Sequence, residues 1–381
     1  MNKDMLPIYD KENCFLFALG RNAMYAACKI LNLEAGDEVL TPAFDCDTAL
    51  QPFRVLGLKL KFFRSDPHTF SVDIDDIKSQ ITSATRLVHV INHFGLPQPW
   101  NELCALREKT GIPILEDNAY SLFSRIDGKP FGMFGDMAIF SLRKNLPLAE
   151  GGLLRINNQQ YKFKFTKRPK LFSFRQAYAL WQIVKINLGF NRLFKPVKNM
   201  LSNFFSTLEP PPPLYSEEIE GYPAWPLRDV IGKEFSCDYL RPISRLARMQ
   251  LNRFCNDDFA QIIHKKRKYY LWLTEKLSSI RGIKILWPEL PEGIIPFCLC
   301  ILIDKNRDYF FKTLRKKYDV MAWPTLSASV LEQLEMYPEV SLLGRKLLQI
   351  NLLAEKVRSS HFVNYLDRLT HDIRRLSSQY L

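Results

Sequence analysis

The chain has 381 residues, 47% of them hydrophobic and 24% charged, which suits a globular protein with one large domain and a smaller one. The longest uncharged apolar stretch, Gly293 to Ile303, is too short to span a bilayer. The start, MNKDMLPIYDKEN, lacks the apolar core and small-residue cleavage site of a signal peptide, so a cytoplasmic protein without a transmembrane helix is expected. The eight cysteines, at 14, 28, 46, 104, 237, 255, 298 and 300, show no paired CxxC spacing; they read as reduced thiols, and no metal is expected.

Read in chain order, the first 155 residues alternate helical and extended patterns, as a helix-flanked parallel sheet requires. Ala23, Ala26, Ala27, Ile30 and Leu31 recur at helical spacing and predict a helix from about Asn22 to Leu33. Extended runs follow at EVLTPAF, LKLKFF, RLVHVIN, IPILED, MAIFSL and GGLLRI. Helices are predicted near Thr48 to Leu56, Asp73 to Ile81 and Pro99 to Lys109. The runs are apolar on both faces, the pattern of a sheet covered by helices on both sides. The alternation stops after Ile156.

A basic segment comes next. Arg155 to Leu208 holds eleven Lys and Arg and no Asp or Glu, so it carries +11 of the net +13. Within it Phe190, Leu193, Phe194, Val197, Leu201, Phe204 and Phe205 fall on one helical face, with Arg192, Lys195, Lys198 and Asn199 opposite and Pro196 as a break or start. Such a face suits peripheral contact with an anionic membrane through residues 157–206, or packing on the body or across a dimer; nucleic acid is not expected. The run Pro210 to Pro213 reads as a stiff return connector. A long helical pattern resumes from Tyr239 to Leu277, followed by an extended run at IPFCLCILID, a helix near Asp308 to Lys317 and a strand at VMAWP. The expected division is a large domain over 1–156, a basic aromatic insertion over 157–213, and a long helix with a small carboxy-terminal domain over 214–381.

Three local patterns together point to pyridoxal phosphate (PLP) chemistry, which needs an imine lysine, a carboxylate at the pyridine nitrogen, a phosphate cradle and a face for the ring. ILEDNAY sets Asp117 at the carboxyl end of a buried-looking strand, where ligands bind in such sheets. FSLRKNLPLAEGG sets Lys144 in a turn after a strand ending at Ser141, with Gly151 and Gly152 expected to let the backbone pass close to a bound ring. FALGRNAMYAACKIL puts Gly20, Arg21 and Asn22 just before a helix, where free amides bind phosphate and the Arg21 charge adds to them; an ordinary helix cap is the bland alternative.

These motifs, in this order and spacing over about residues 15 to 156, resemble the DegT/DnrJ/StrS family of PLP-dependent sugar aminotransferases. The resemblance implies a fold type I architecture: an α/β large domain with a mainly parallel helix-flanked sheet, and a smaller carboxy-terminal α+β domain. It implies Lys144 as imine lysine and proton shuttle, Asp117 as partner of the ring nitrogen, and Gly20, Arg21 and Ser141 as phosphate contacts. Tyr120 stands where the family usually has Gln or His, near the ring hydroxyl. Phe44 or His93 takes the place of an aromatic stacking residue common near Cys46. Fewer residues separate Ser141 from Lys144 than in the family, and Tyr239 lies where a partner subunit's Asn is usual. The implied activity is amination of a nucleotide-linked keto sugar, with a donor such as glutamate, in a homodimer serving polysaccharide or glycoconjugate synthesis. The alternatives are dehydration on the same scaffold, which some relatives carry out without the lysine, or a membrane-associated binding protein that has lost catalysis.

Overall fold

A computed structural model describes residue 9 and residues 12–171, 239–322, 326–352 and 362–380. The amphipathic face, the proline run and the end of VMAWP lie outside the described residues.

In the amino-terminal part, strands β1 (Cys14–Phe17), β2 (Glu38–Pro42), β3 (Lys59–Phe63), β4 (Thr85–Ile91) and β5 (Ile114–Asn118) are followed by a two-residue hairpin, β6 (Arg125–Ile126) and β7 (Lys129–Pro130), then β8 (Met137–Ser141) and β9 (Gly152–Ile156). Between them run helices α1 (Gly20–Ile30), α2 (Asp47–Val55), α3 (Ile74–Gln80), α4 (Trp100–Thr110) and the single turn α5 (Leu142–Asn145). Seven strands form one sheet in the order β1-β9-β8-β5-β4-β2-β3. The pairings from β8 to β3 are parallel, and those of β9 with β8 and β1 are antiparallel. β5 and β8 are buried at every position; β8 is apolar up to Ser141, whereas β5 ends on the buried polar residues Glu116, Asp117 and Asn118.

Two details differ from the sequence expectation. The helix expected from Asn22 begins at Gly20, so Gly20, Arg21 and Asn22 form its first turn instead of preceding it. The pattern from Tyr239 to Leu277 is not one helix. Residues 241–243 run along β1, with Ala18 N–H donating to the Arg241 carbonyl (3.0 Å) and Ile243 N–H to that of Leu16 (3.0 Å), and so cover the edge of the sheet. Pro242 cannot donate within a helix, and Ser244 Oγ then caps helix α6 (Arg245–Leu251) by accepting from Ala247 N–H. A second start at Cys255, with Asp258 reaching back to its N–H, opens α7 (Asn256–Leu277).

The carboxy-terminal elements are β10 (Ile283–Ile285), β11 (Cys298–Ile303), α8 (Arg307–Leu314), β12 (Val320–Met321), α9 (Pro338–Lys346), β13 (Leu347–Asn351) and α10 (Phe362–Tyr380). Their sheet, ordered β10-β11-β13-β12, is antiparallel throughout. β11 alternates between two cores: Cys298, Cys300 and Leu302 pack with the core that contains α1 and β2, while Leu299, Ile301 and Ile303 pack with α7 and α10. Among the described residues no helix is long and apolar enough to cross a membrane.

Candidate active site

The carboxyl ends of β2, β4, β5 and β8 converge, and the chemistry-bearing side chains sit there. Asp117, on β5, is buried; its Oδ1 accepts from Ala119 N–H at 2.7 Å and its Oδ2 lies 3.4 Å from His89 Nε2. His89 is fully buried on β4, and its Nδ1 shares a 2.9 Å hydrogen bond with Thr41 Oγ1 on β2, so ring and carboxylate hold each other in place.

Lys144 projects from α5, immediately after β8. Its Nζ lies 3.8 Å from the centroid of the buried Tyr120 ring, and among the described residues it has no hydrogen bond or ion pair. Burial pulls the amine down to about 8, against the Asp117 carboxylate, the Cys46 thiol and Asp45, which favour the ammonium, and with a further push down from Arg143. Lys144, Asp117, Asp45, Cys46 and Tyr120 thus form one electrostatic cluster. Burial drives the Tyr120 phenol well above its ordinary value, so it stays a neutral hydroxyl.

His93 and Phe44 line the same region. Burial lowers His93 to about 4, so the imidazole is neutral; its Nε2 donates to the Phe44 carbonyl at 2.9 Å, and its Nδ1 is buried without a partner among the described residues. The His93 ring tilts against Phe44 and Phe70 with centroids 5.8 and 5.7 Å apart. Gly20 meets Ser141: a side-chain carbon at Gly20 would stand 3.5 Å from Ser141 Cβ, so the start of α1 adjoins the turn that carries Lys144. Arg21 Nη1 donates to Gln51 Oε1 (3.3 Å), and Asn22 Nδ2 donates to the Tyr239 carbonyl (2.9 Å), which ties α1 to the chain over the sheet edge.

The glycine pair works differently from the expectation. A side chain at Gly152 would collide with the Leu19 carbonyl, and Gly151 exchanges backbone hydrogen bonds with Ala18 (2.8 Å) and Leu142 (3.0 Å). The two glycines therefore pack β9 against the start of α1 and the Lys144 turn.

Asp45 and His89 escaped the sequence reading. Asp45 is 3% exposed; its Oδ1 accepts from Cys46 N–H at 2.6 Å and its Oδ2 has no partner among the described residues. Burial first, then the Asp117 carboxylate, raises it well above the usual carboxylate range. The rule that singled out Asp117, an acid just past an apolar strand, also applies to PAFDCDT. A polar ring inside the apolar run of β4 was the signal for His89.

The residues present fit PLP. A lysine without a polar partner, a carboxylate fixed at a strand end, a neutral aromatic wall and the orphaned Asp45 Oδ2 and His93 Nδ1 supply donors and acceptors of the right types.

This sheet, with a lysine and a carboxylate at its strand ends, has the α/β architecture of the fold type I aminotransferases. Residues 7–192 match the sequence model of the DegT/DnrJ/EryC1/StrS aminotransferase family. Among curated relatives, a GDP-4-keto-6-deoxy-D-mannose 3-dehydratase of Yersinia pseudotuberculosis is 33% identical over 127 residues, 33% of this chain and 32% of that protein. A UDP-N-acetyl-3-dehydro-alpha-D-glucosamine 3-aminotransferase of Acidithiobacillus ferrooxidans is 31% identical over 36% of this chain and 38% of that protein. The matches thus span about a third of the length of these relatives. Among solved structures, the aminotransferase TlmJ from Streptoalloteichus hindustanus superposes with a TM-score of 0.66 at 17% identity, covering 100% of this chain and 89% of that one, a likeness of fold.

Proposed function

We propose that this chain is a PLP-dependent aminotransferase that converts a nucleotide-linked keto sugar to an amino sugar, with glutamate or a similar amine as donor. The observation that carries the reading is Lys144: an amine that burial brings to about 8, against the face of Tyr120 and in the field of Asp117. Lys144 would hold the cofactor and afterwards move the proton between the substrate carbon and the cofactor; Asp117 would keep a proton on the ring nitrogen; Gly20, Arg21 and Ser141 would receive the phosphate. Asn22, Phe44, His93 and Tyr120 would complete the wall around the ring. PLP, when bound, supplies the electron-withdrawing ring that stabilises negative charge on the amine-bearing carbon. Burial keeps the Lys144 amine available near neutral pH.

A 3-dehydratase is the second reading, because one curated relative at 33% identity carries that name. A proton-shuttling lysine favours transamination. The test is a spectrum of the PLP-loaded protein with glutamate, then with a panel of nucleotide-linked keto sugars. Loss of the cofactor's aldehyde-state absorbance with glutamate, its return with one sugar, and an amino sugar by mass spectrometry are expected. A deoxy keto sugar without nitrogen would establish dehydration instead.

We also propose that the protein is a homodimer and that its basic segment docks on anionic membrane. Residues 161–165 support a cationic ridge: Tyr161, Phe163 and Phe165 are half-buried, with Phe163 5.1 Å from Phe15 and Phe165 4.8 Å from Phe17 on β1, while Lys162 and Lys164 between them are exposed. Lys167, Arg168 and Lys170 continue the exposed charge. Each such cation contributes about 1 kcal/mol at an anionic surface, so reversing Lys162 and Lys164 to Glu should weaken liposome binding by at least about tenfold. Co-sedimentation with phosphatidylserine vesicles at low salt reads this, and sedimentation without lipid reads the mass of the dimer. Indifference of the protein to anionic vesicles would refute the membrane reading.

A further inference from the structure

A second lysine is buried beside the site. Lys266, on α7, is 3% exposed, yet among the described residues its Nζ has one hydrogen bond, 3.4 Å to Asn145 Oδ1, and one ring face, that of Phe297 at 5.2 Å. Burial pulls its amine down to about 8, opposed by the Cys298 thiol. An ammonium with so few partners destabilises a fold relative to an apolar side chain of the same length, so packing alone gives no reason for the charge.

Both contacts of Lys266 lead to Lys144. Asn145 directly follows Lys144, and its Nδ2 donates to the carbonyls of Ala119 (3.1 Å) and Ser141 (3.2 Å), the segments that follow Asp117 and precede Lys144. With both donors engaged, its Oδ1 is left to face Lys266. On the other side, Phe297 meets Tyr120 edge to face at 4.8 Å, and Tyr120 carries Lys144 Nζ on its ring. The Phe297 N–H donates to the Phe94 carbonyl at 2.7 Å, which fixes that ring's backbone.

We propose that Lys266 is a positioning residue for Lys144: it orients Asn145, and through it the turn that presents the Lys144 amine, while bracing the Phe297–Tyr120 pair against which that amine rests. The proposal builds on the reading of Lys144 as the cofactor lysine. It makes α7, an element of the carboxy-terminal half, part of the device that aims a side chain of the amino-terminal sheet. Misplacement of a reacting group by a fraction of an ångström to an ångström slows its reaction by about tenfold or more.

The test is the rate at which the full-length protein, freed of cofactor, captures added PLP on Lys144, followed by absorbance and by borohydride labelling. Lys266→Met keeps length and removes the donor; capture is expected to slow by about tenfold, with a melting temperature equal to or above that of wild type. Asn145→Ala should slow capture similarly, and the double variant should be slower by clearly less than the product of the two single effects, because the two share the Lys266–Asn145 contact. Lys266→Gln keeps an N–H for Asn145 and should capture within about threefold of wild type. Capture by Lys266→Met at the wild-type rate, a Gln variant as slow as the Met variant, or effects that multiply in the double variant would each overturn the proposal. Should the Met variant fail to fold, the Gln and Asn145→Ala variants decide it by the same comparison. A wild-type protein that captures no PLP on Lys144 removes the reading of Lys144 itself, and the proposal with it.

Discussion

Lys144→Met is expected to abolish covalent retention of PLP and to lower transamination by at least about a thousandfold, since one side chain provides both the attachment and the proton transfer. Borohydride reduction of the wild-type protein should place the label on the peptide containing Lys144. A label on Lys266, which burial also brings to about 8, would move the site to α7. The pH dependence is a second signature. The neutral amine is the reactive form, so with Lys144 near 8, capture should rise roughly tenfold per pH unit below that point and level off above it. A lysine in water would go on rising to about 10.4. A capture rate still climbing steeply at pH 9.5 would mean that Lys144 is solvated in the working protein.

Asp117→Asn should leave the fold intact, because an amide oxygen still accepts from Ala119 N–H, while turnover falls by about a hundredfold to ten-thousandfold. A neutral amide gives the ring nitrogen no reason to keep its proton, and the loss falls on the transition state. The substitution also has a readout that needs no turnover. The Asp117 carboxylate is the largest influence holding the Lys144 ammonium against burial, so its removal lowers the amine further and moves the midpoint of PLP capture below about 8. Near wild-type turnover together with an unmoved midpoint would reduce Asp117 to a cap on the Asp117–Ala119 turn.

The two variants also separate the functional readings. A binding protein that had lost catalysis would retain PLP on Lys144 and show no response to glutamate. A dehydratase would depend on Asp117 yet return no nitrogen to the sugar.

By itself the sequence determined the repeating strand and helix pattern of the first 155 residues and the positions of Asp117 and Lys144 at strand ends. Such features are local: a strand buried on both faces is mostly apolar, and the polar residues at its carboxyl end mark the end of the sheet where ligands bind. Motif order likewise carried the resemblance to the family. The carboxy-terminal half was less legible, because its segments acquire their structure from distant partners. Pro242 and its neighbours are extended because β1 needs an edge partner, and β11 is apolar at every position because it serves two cores. Spacing along the chain did not reveal that Gly152 makes room for Leu19, that His89 bridges Thr41 and Asp117, or that Lys266 reaches Asn145 across 121 positions. Those pairings were decided only by the tertiary structure, because burial is what turns a distant neighbour into an obligatory partner: a polar atom removed from water must find its hydrogen bonds wherever the packed chain happens to supply them.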